Sequence, residues 1–169
     1  MKYDLFVAGT FQGVSNIMVE QTFSLEIKCS YCHKTHKNHV IVTDESKQYN
    51  NKDEPVNLKV KCAECGKQMT ITVHIPINST KYKYTNKDIM NEYEVDLYLN
   101  PKKDNSFHVS TLDCRGCFIE KIDDLKCSVL SEWDIFFKDV EIFDGYVRLE
   151  DLKGRVTTIE DFSVNFIKS

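Results

Sequence analysis

The chain has 169 residues, 41% hydrophobic and 28% charged, with a formal charge of −4 and a pI near 5.7. At that length folding buries about 70% of the surface the unfolded chain exposes, so a stable core needs no disulfides. The acidic balance argues against a nucleic-acid binder driven by bulk phosphate attraction, and no apolar run approaches the ~18 residues of a membrane span.

Charge is nevertheless uneven. Residues 1–85 hold 11 lysines against 8 carboxylates, a net +3, and residues 86–169 hold 11 basic against 18 acidic residues, a net −7. Seven cysteines stand at 29, 32, 62, 65, 114, 117 and 127, an odd count containing three Cys-x-x-Cys pairs. Secreted disulfide frameworks favour even counts, whereas this spacing belongs to metal or redox chemistry in a reducing compartment. Met1–Val7 offers no signal-peptide apolar region. The expectation is a soluble, cytoplasmic chain, with the nucleus open to it as well.

Period-two alternation dominates, which predicts strands. Residues 2–12 read as a strand ended by Gln12-Gly13. Phe23, Leu25 and Ile27 alternate with Ser24, Glu26 and Lys28 and deliver the chain into Cys29-Ser30-Tyr31-Cys32, after which Val40–Val42 returns as a partner. Asp44–Pro55 is polar and rich in breakers and reads as a long exposed loop. Val56, Leu58 and Val60 then alternate into Cys62-Ala63-Glu64-Cys65, and Met69, Ile71, Val73 and Ile75 lead away. Leu25 to Lys34 and Leu58 to Lys67 match at Leu, Lys, both Cys and the following Lys, at a constant offset of 33. This is a local repeat of strand, knuckle and strand.

Residues 78–92 show no clear strand alternation and read as a turn or one short helix. Tyr93–Leu99 alternates again, closed by Asn100-Pro101. Phe107–Leu112 leads into Cys114-Arg115-Gly116-Cys117. Alternating segments follow at Phe118–Ile122, Leu125–Leu130, Tyr146–Leu149 and Phe162–Ile167. Trp133–Phe143 is ambiguous, because Ile135, Phe136, Val140 and Phe143 would also share a helical face. The predicted architecture is mostly β: one compact, continuous body of two similar β lobes, 1–85 and 86–169, with the knuckle pair at hairpin tips of the first.

Cys29, Cys32, Cys62 and Cys65 are the predicted metal ligands, because two Cys-x-x-Cys turns supply the four thiolates of a closed structural Zn2+ site. One structural zinc per chain is expected. Lys28, Lys34, Lys61 and Lys67 flank the pairs and suit a centre of formal charge −2. Gly66 suits a tight knuckle, since glycine accepts positive φ, whereas His33 in the matching place suits the first knuckle less well. His33, His36 and His39 read as solvated loop residues beside a tetrahedron already filled. Cys114, Cys117 and Cys127 form a possible second thiol site, for redox use or a soft metal ion, with His108 the nearest imidazole; the plainer reading is small buried residues in a β turn.

The chain resembles the eukaryotic CXXC-motif-containing zinc-binding proteins, a family without an established reaction. The resemblance rests on Gly13-Val14-Ser15-Asn16-Ile17, Cys29-Ser30-Tyr31-Cys32, Lys61-Cys62-Ala63-Glu64-Cys65 and Cys114-Arg115-Gly116. It implies a mostly β fold with two similar halves, of which only the first holds zinc, on Cys29, Cys32, Cys62 and Cys65. Members generally have an apolar residue where this chain has Cys117. The functional expectation is a monomeric, non-enzymatic binding or adaptor module with a protein partner. The alternatives are a thiol-based metal or redox handler using Cys114 and Cys117, and a zinc-ribbon nucleic-acid binder using the flanking lysines with Tyr31.

Overall fold

Between Thr22 and Cys29 the side chains alternate strictly, burying Phe23, Leu25, Ile27 and Cys29, and the same alternation buries Tyr3, Leu5 and Val7 near the N-terminus. The computed structural model describes residues 1–75, 80–86, 91–97, 106–123 and 125–169. In chain order the strands are β1 (Lys2–Gln12), β2 (Val14–Val19), β3 (Thr22–Cys29), β4 (Val40–Thr43), β5 (Gln48–Tyr49), β6 (Pro55–Val56), β7 (Leu58–Lys61) and β8 (Gln68–His74). They continue with β9 (Thr80–Asn86), β10 (Asn91–Leu97), β11 (Ser106–Arg115), β12 (Cys117–Ile122), β13 (Cys127–Ser131), β14 (Phe136–Val140), β15 (Val147–Glu150) and β16 (Val156–Lys168). Among the described residues there is no helix.

The largest sheet has six strands in the order β15-β16-β1-β11-β8-β7, all antiparallel. Two three-stranded sheets, β12-β3-β4 and β14-β13-β2, and the two-stranded ribbons β10-β9 and β5-β6 complete it. Each of the three larger sheets draws strands from both sides of residue 85: β1 sits between β11 and β16, β3 pairs with β12, and β2 pairs with β13. One buried cluster runs through all three, from Leu5 and Val7 on β1 through Phe23, Leu25 and Ile27 on β3 to Ile71, Leu112, Val129 and Ile159. Each such side chain, fully removed from water, contributes about 1.5–3 kcal/mol.

Three stretches differ from the sequence reading. The polar stretch after Asp44 is folded: Gln48 and Tyr49 pair with Val56 and Pro55, and the Asn50 side-chain oxygen accepts the N–H groups of Lys52 (2.9 Å) and Glu54 (3.0 Å) to shape the turn between them. Its residues are polar because they cap a turn, the usual use of Asn. Within 78–92, Thr80–Asn86 is a strand, β9, paired with β10 from Thr80↔Leu97 to Asn86↔Asn91. Its period-two signal is carried by Tyr82 and Tyr84 between Lys81 and Lys83, aromatic rather than aliphatic, and both tyrosine and threonine favour strands. Asn100-Pro101 lies outside the described residues.

Trp133–Phe143 resolves into a turn and strand β14. The pairing steps from Cys127↔Val140 to Val129↔Phe137, so β14 carries one extra residue, and Asp139 takes the left-handed conformation (φ 50°) there. A bulge of this kind inserts a residue into one strand. With that residue inserted the segment loses strict alternation: Phe136 and Val140 are buried while Lys138 between them is exposed.

Where the β3 sheet meets the segment after β12, His39 Nδ1 donates to Asp123 Oδ2 (2.6 Å), Ser24 Oγ donates to the same carboxylate (2.6 Å), and His39 Nε2 lies 3.4 Å from Glu26. The hydrogen bond to Asp123 raises the imidazole pKa, aided by Glu26, and outweighs partial desolvation. A histidine whose folded pKa exceeds its unfolded ~6.5 stabilises fully below that value, and the contribution is lost as pH rises through the folded pKa. His39→Gln, which keeps a donor but not the charge, should therefore lower the urea midpoint of zinc-saturated protein more at pH 6 than at pH 9. Equal deficits at both pH values would show that charge plays no part.

Candidate metal centre

Both knuckles have one hydrogen-bond plan. In the first, Cys29 N–H donates to Lys34 O (3.0 Å) and Cys29 O accepts His33 N–H (3.0 Å). In the second, Cys62 N–H donates to Lys67 O (2.9 Å) and Cys62 O accepts Gly66 N–H (2.9 Å). The residue after the second cysteine turns left-handed in each, His33 at φ 61° and Gly66 at φ 73°. The loop demands that conformation, glycine supplies it freely, and histidine is among the side chains that tolerate it. This closure leaves the Lys34 N–H for Cys32 sulfur and the Lys67 N–H for Cys65 sulfur.

The first knuckle caps β3 and the second joins β7 to β8. They thus stand at the tips of hairpins from two different sheets, and they converge. Cys29 and Cys65 sulfurs lie 3.7 Å apart, Cys32 and Cys62 3.5 Å apart, and all four fall within 4.8 Å of one another. A tetrahedron with Zn–S near 2.3 Å has sulfur–sulfur edges of about 3.8 Å. The four thiols therefore fit a zinc ion. Among the described residues no other group of three or more His, Cys, Asp or Glu is so arranged. Exposure is graded around the centre: Cys29 and Cys62 are buried, Cys32 is half-buried and Cys65 is exposed.

Without metal the four sulfurs compete for protons. Cys62 receives the N–H groups of Cys65 and Glu64 and is held down to about 7. Cys32, although it accepts the Lys34 N–H, is pushed up to about 12 by desolvation and by the sulfurs of Cys62, Cys29 and Cys65. Cys65 is raised as well, desolvation and the Cys29 and Cys62 sulfurs outweighing the Lys67 N–H. A divalent cation replaces those protons, which is why metal binding to such sites releases them.

The flanking cations are partly engaged elsewhere: Lys28 reaches Glu120 (3.9 Å) and Lys67 lies over the exposed Tyr31 ring (5.7 Å). His33 and His36 join the hairpin through their backbones: His33 N–H donates to Cys29 O (3.0 Å) and His36 N–H to Ile27 O (2.8 Å). None of His33, His36 and His39 joins the four sulfurs.

The third Cys-x-x-Cys is built differently. Its left-handed residue is Gly116, between the cysteines (φ 79°), and the chain passes straight from β11 into β12. Cys114 lies opposite Ile71 of β8, and Cys117 lies opposite the ligand Cys29 of β3, so the turn crosses from the six-stranded to the three-stranded sheet beside the knuckles. Cys114 and Cys117 are buried neighbours, the Cys114 thiol donating to Cys117; that bond raises Cys114 and lowers Cys117. Cys127 is buried on β13, where desolvation pushes it up to about 12, and it makes no three-residue cluster with them. His108 packs at a tilt of 39° against Phe6 (5.4 Å between ring centres) and hydrogen-bonds Thr111 (2.9 Å).

Gly116 is the residue whose importance spacing alone did not reveal. Its carbonyl accepts Ser30 N–H (3.0 Å), and a Cβ there would stand 2.6 Å from Gln68 O and 3.3 Å from the Tyr31 ring. The turn is thus wedged against both knuckles. Gly116→Ala should cost about 2 kcal/mol or more, combining left-handed strain with the backbone clash. His33→Gly should be neutral or stabilise by up to ~1 kcal/mol, since relief of strain offsets the added freedom of the unfolded chain. Urea unfolding of the two variants checks the opposite signs.

Comparison with known proteins agrees with this geometry. The chain is 24% identical to an uncharacterized protein of Encephalitozoon cuniculi over 169 residues, covering 97% of this chain and 96% of the relative. It is 25% identical to a UPF0587 protein of Saccharomyces cerevisiae over 173 residues, covering 93% and 92%. The fold is shared with a solved hypothetical protein from Plasmodium falciparum, at a TM-score of 0.76 and 13% identity, over 99% of both chains. Residues 4–167 match the family described as CXXC motif containing zinc binding protein, eukaryotic, and the chain belongs to that family.

Proposed function

We propose that the chain is a non-enzymatic, zinc-structured binding module of the cytoplasm, monomeric by itself, that presents a rigid β surface to a protein partner. The observation that carries this reading is the convergence of four cysteines within 4.8 Å. Four thiolates fill a tetrahedral zinc, and a catalytic zinc keeps one position for water or substrate. The metal would hold two hairpin tips from separate sheets in one place. Cys29, Cys32, Cys62 and Cys65 would supply all its protein ligands, and the backbone N–H groups of Lys34, Glu64, Cys65 and Lys67 would soften the charge on their sulfurs.

Metal analysis of protein purified without added metal should give about one zinc per chain, and Cys62→Ser should lose it. Structural zinc sites bind with about 10–16 kcal/mol, against a domain stability of about 5–15 kcal/mol. A strong chelator should therefore lower the melting temperature sharply in the wild type and not in Cys62→Ser. Zinc-loaded protein should also crosslink to a defined partner in a eukaryotic lysate, with Cys62→Ser losing the crosslink. A fully folded, zinc-free wild type that captures the same partner would overturn the reading.

A further inference from the structure

Two sheet edges face one groove. β12 is the outer strand of its sheet, pairing only with β3. β16 becomes an outer strand once β15 ends, because β15 reaches only Val156–Ile159, whereas β1 pairs with β16 as far as Lys168. Ser169 N–H donates to Lys2 O on β1 (2.9 Å). Backbone groups alternate sides along a strand, so the N–H and C=O groups of residues 163, 165 and 167 also face β1. Those of Val164, Phe166 and Lys168 face away, and no backbone partner meets them among the described residues. Phe162 N–H, of the same parity, is met by Gly145 O (2.9 Å), which shows the pairing this edge accepts.

Between the edges lies a groove of about 370 Å³ lined by Ile122, Leu125, Ile142, Phe143, Phe162 and Val164, with Asp123 and Asp144 among its walls. Phe143 is 82% exposed, a large apolar side chain left in water at the groove. Asp123 is held by Ser24 and His39, and Asp144 makes no ion pair among the described residues. At the other end the Lys168 side chain reaches over the Phe118 ring of β12 (5.8 Å).

We propose that this groove binds an extended, apolar and basic segment of a partner protein as an added strand along Val164–Lys168. Outward amides two residues apart call for an extended backbone, the exposed Phe143 beside the groove for a large aliphatic or aromatic side chain, and Asp144 for a neighbouring lysine or arginine. A second copy of this chain fits less well, because each copy would bring a half carrying −7 against the other's. The proposal rests on the binding-module reading and names the surface it uses.

The test uses full-length, zinc-loaded protein and a capped peptide, Val-Lys-Val-Lys-Phe-Lys-Val, beside the same peptide with glutamate for each lysine. Amide shifts on binding the lysine peptide should centre on Val164, Phe166 and Lys168, and the glutamate peptide should bind about tenfold or more weakly. Val164→Pro removes an outward N–H while sparing the bonds to β1, as proline permits on a strand edge. It should cut affinity about tenfold or more while the protein stays folded and zinc-loaded. Should that variant unfold, Phe143→Ser, at an exposed site, should weaken the same peptide. The proposal falls if shifts centre elsewhere, if both variants bind as the wild type does, or if light scattering shows a dimer that Val164→Pro abolishes. Partner crosslinking that survives in Val164→Pro removes the groove and leaves the binding-module reading standing; its absence from the wild type removes that reading itself.

Discussion

Four sulfurs within 4.8 Å are a demand as much as a site. As thiolates they would repel one another, and as thiols they must share protons unevenly, as the opposite displacements of Cys62 and Cys32 show. A divalent cation resolves both at once. The rest of the fold near the knuckles follows from that demand. β3 must deliver Cys29, β7 must deliver Cys62, and the two hairpins must meet although they belong to different sheets. The turn through Gly116 is the covalent counterpart of the metal: it crosses between the same two sheets and hydrogen-bonds the first knuckle at Ser30.

Much of this was legible because the knuckles are local. Strand, turn and cysteine lie within ten residues of each other, and an offset of 33 repeats them. The repeat puts His33 where the second knuckle has Gly66, a residue less suited to a left-handed turn, and the structure gives both positions that turn. What escaped the sequence is what depends on distant pairing. No spacing announces that Cys117 will lie opposite Cys29, or that Gly116 will fill a gap too small for a Cβ. The bulge at Asp139 hides β14 for a related reason: one inserted residue breaks the period-two pattern and leaves Lys138 exposed between the buried Phe136 and Val140. The tyrosines of β9 give a weak strand signal because their alternation is aromatic against lysine.

Edges are the other theme. β7, at one border of the six-stranded sheet, turns Lys59 and Lys61 outward, and charged residues on an edge discourage unwanted strand pairing. The end of β16 lacks that defence over Val164–Phe166, beside an exposed phenylalanine. One border is guarded and the other left receptive, a contrast that sets the groove apart from an ordinary sheet margin.

The interleaving of the sheets also orders events in time. All four ligands have been made by residue 65, yet the strands that pair with β1 and β3, namely β11, β12 and β16, begin at Ser106 and finish at Lys168. At about 5–20 residues per second a ribosome needs roughly 5–20 s to cover that interval. During it the nascent chain carries a complete set of thiolates without the walls that later bury Cys29. The four ligands are therefore together on the growing chain before the strands that enclose them exist.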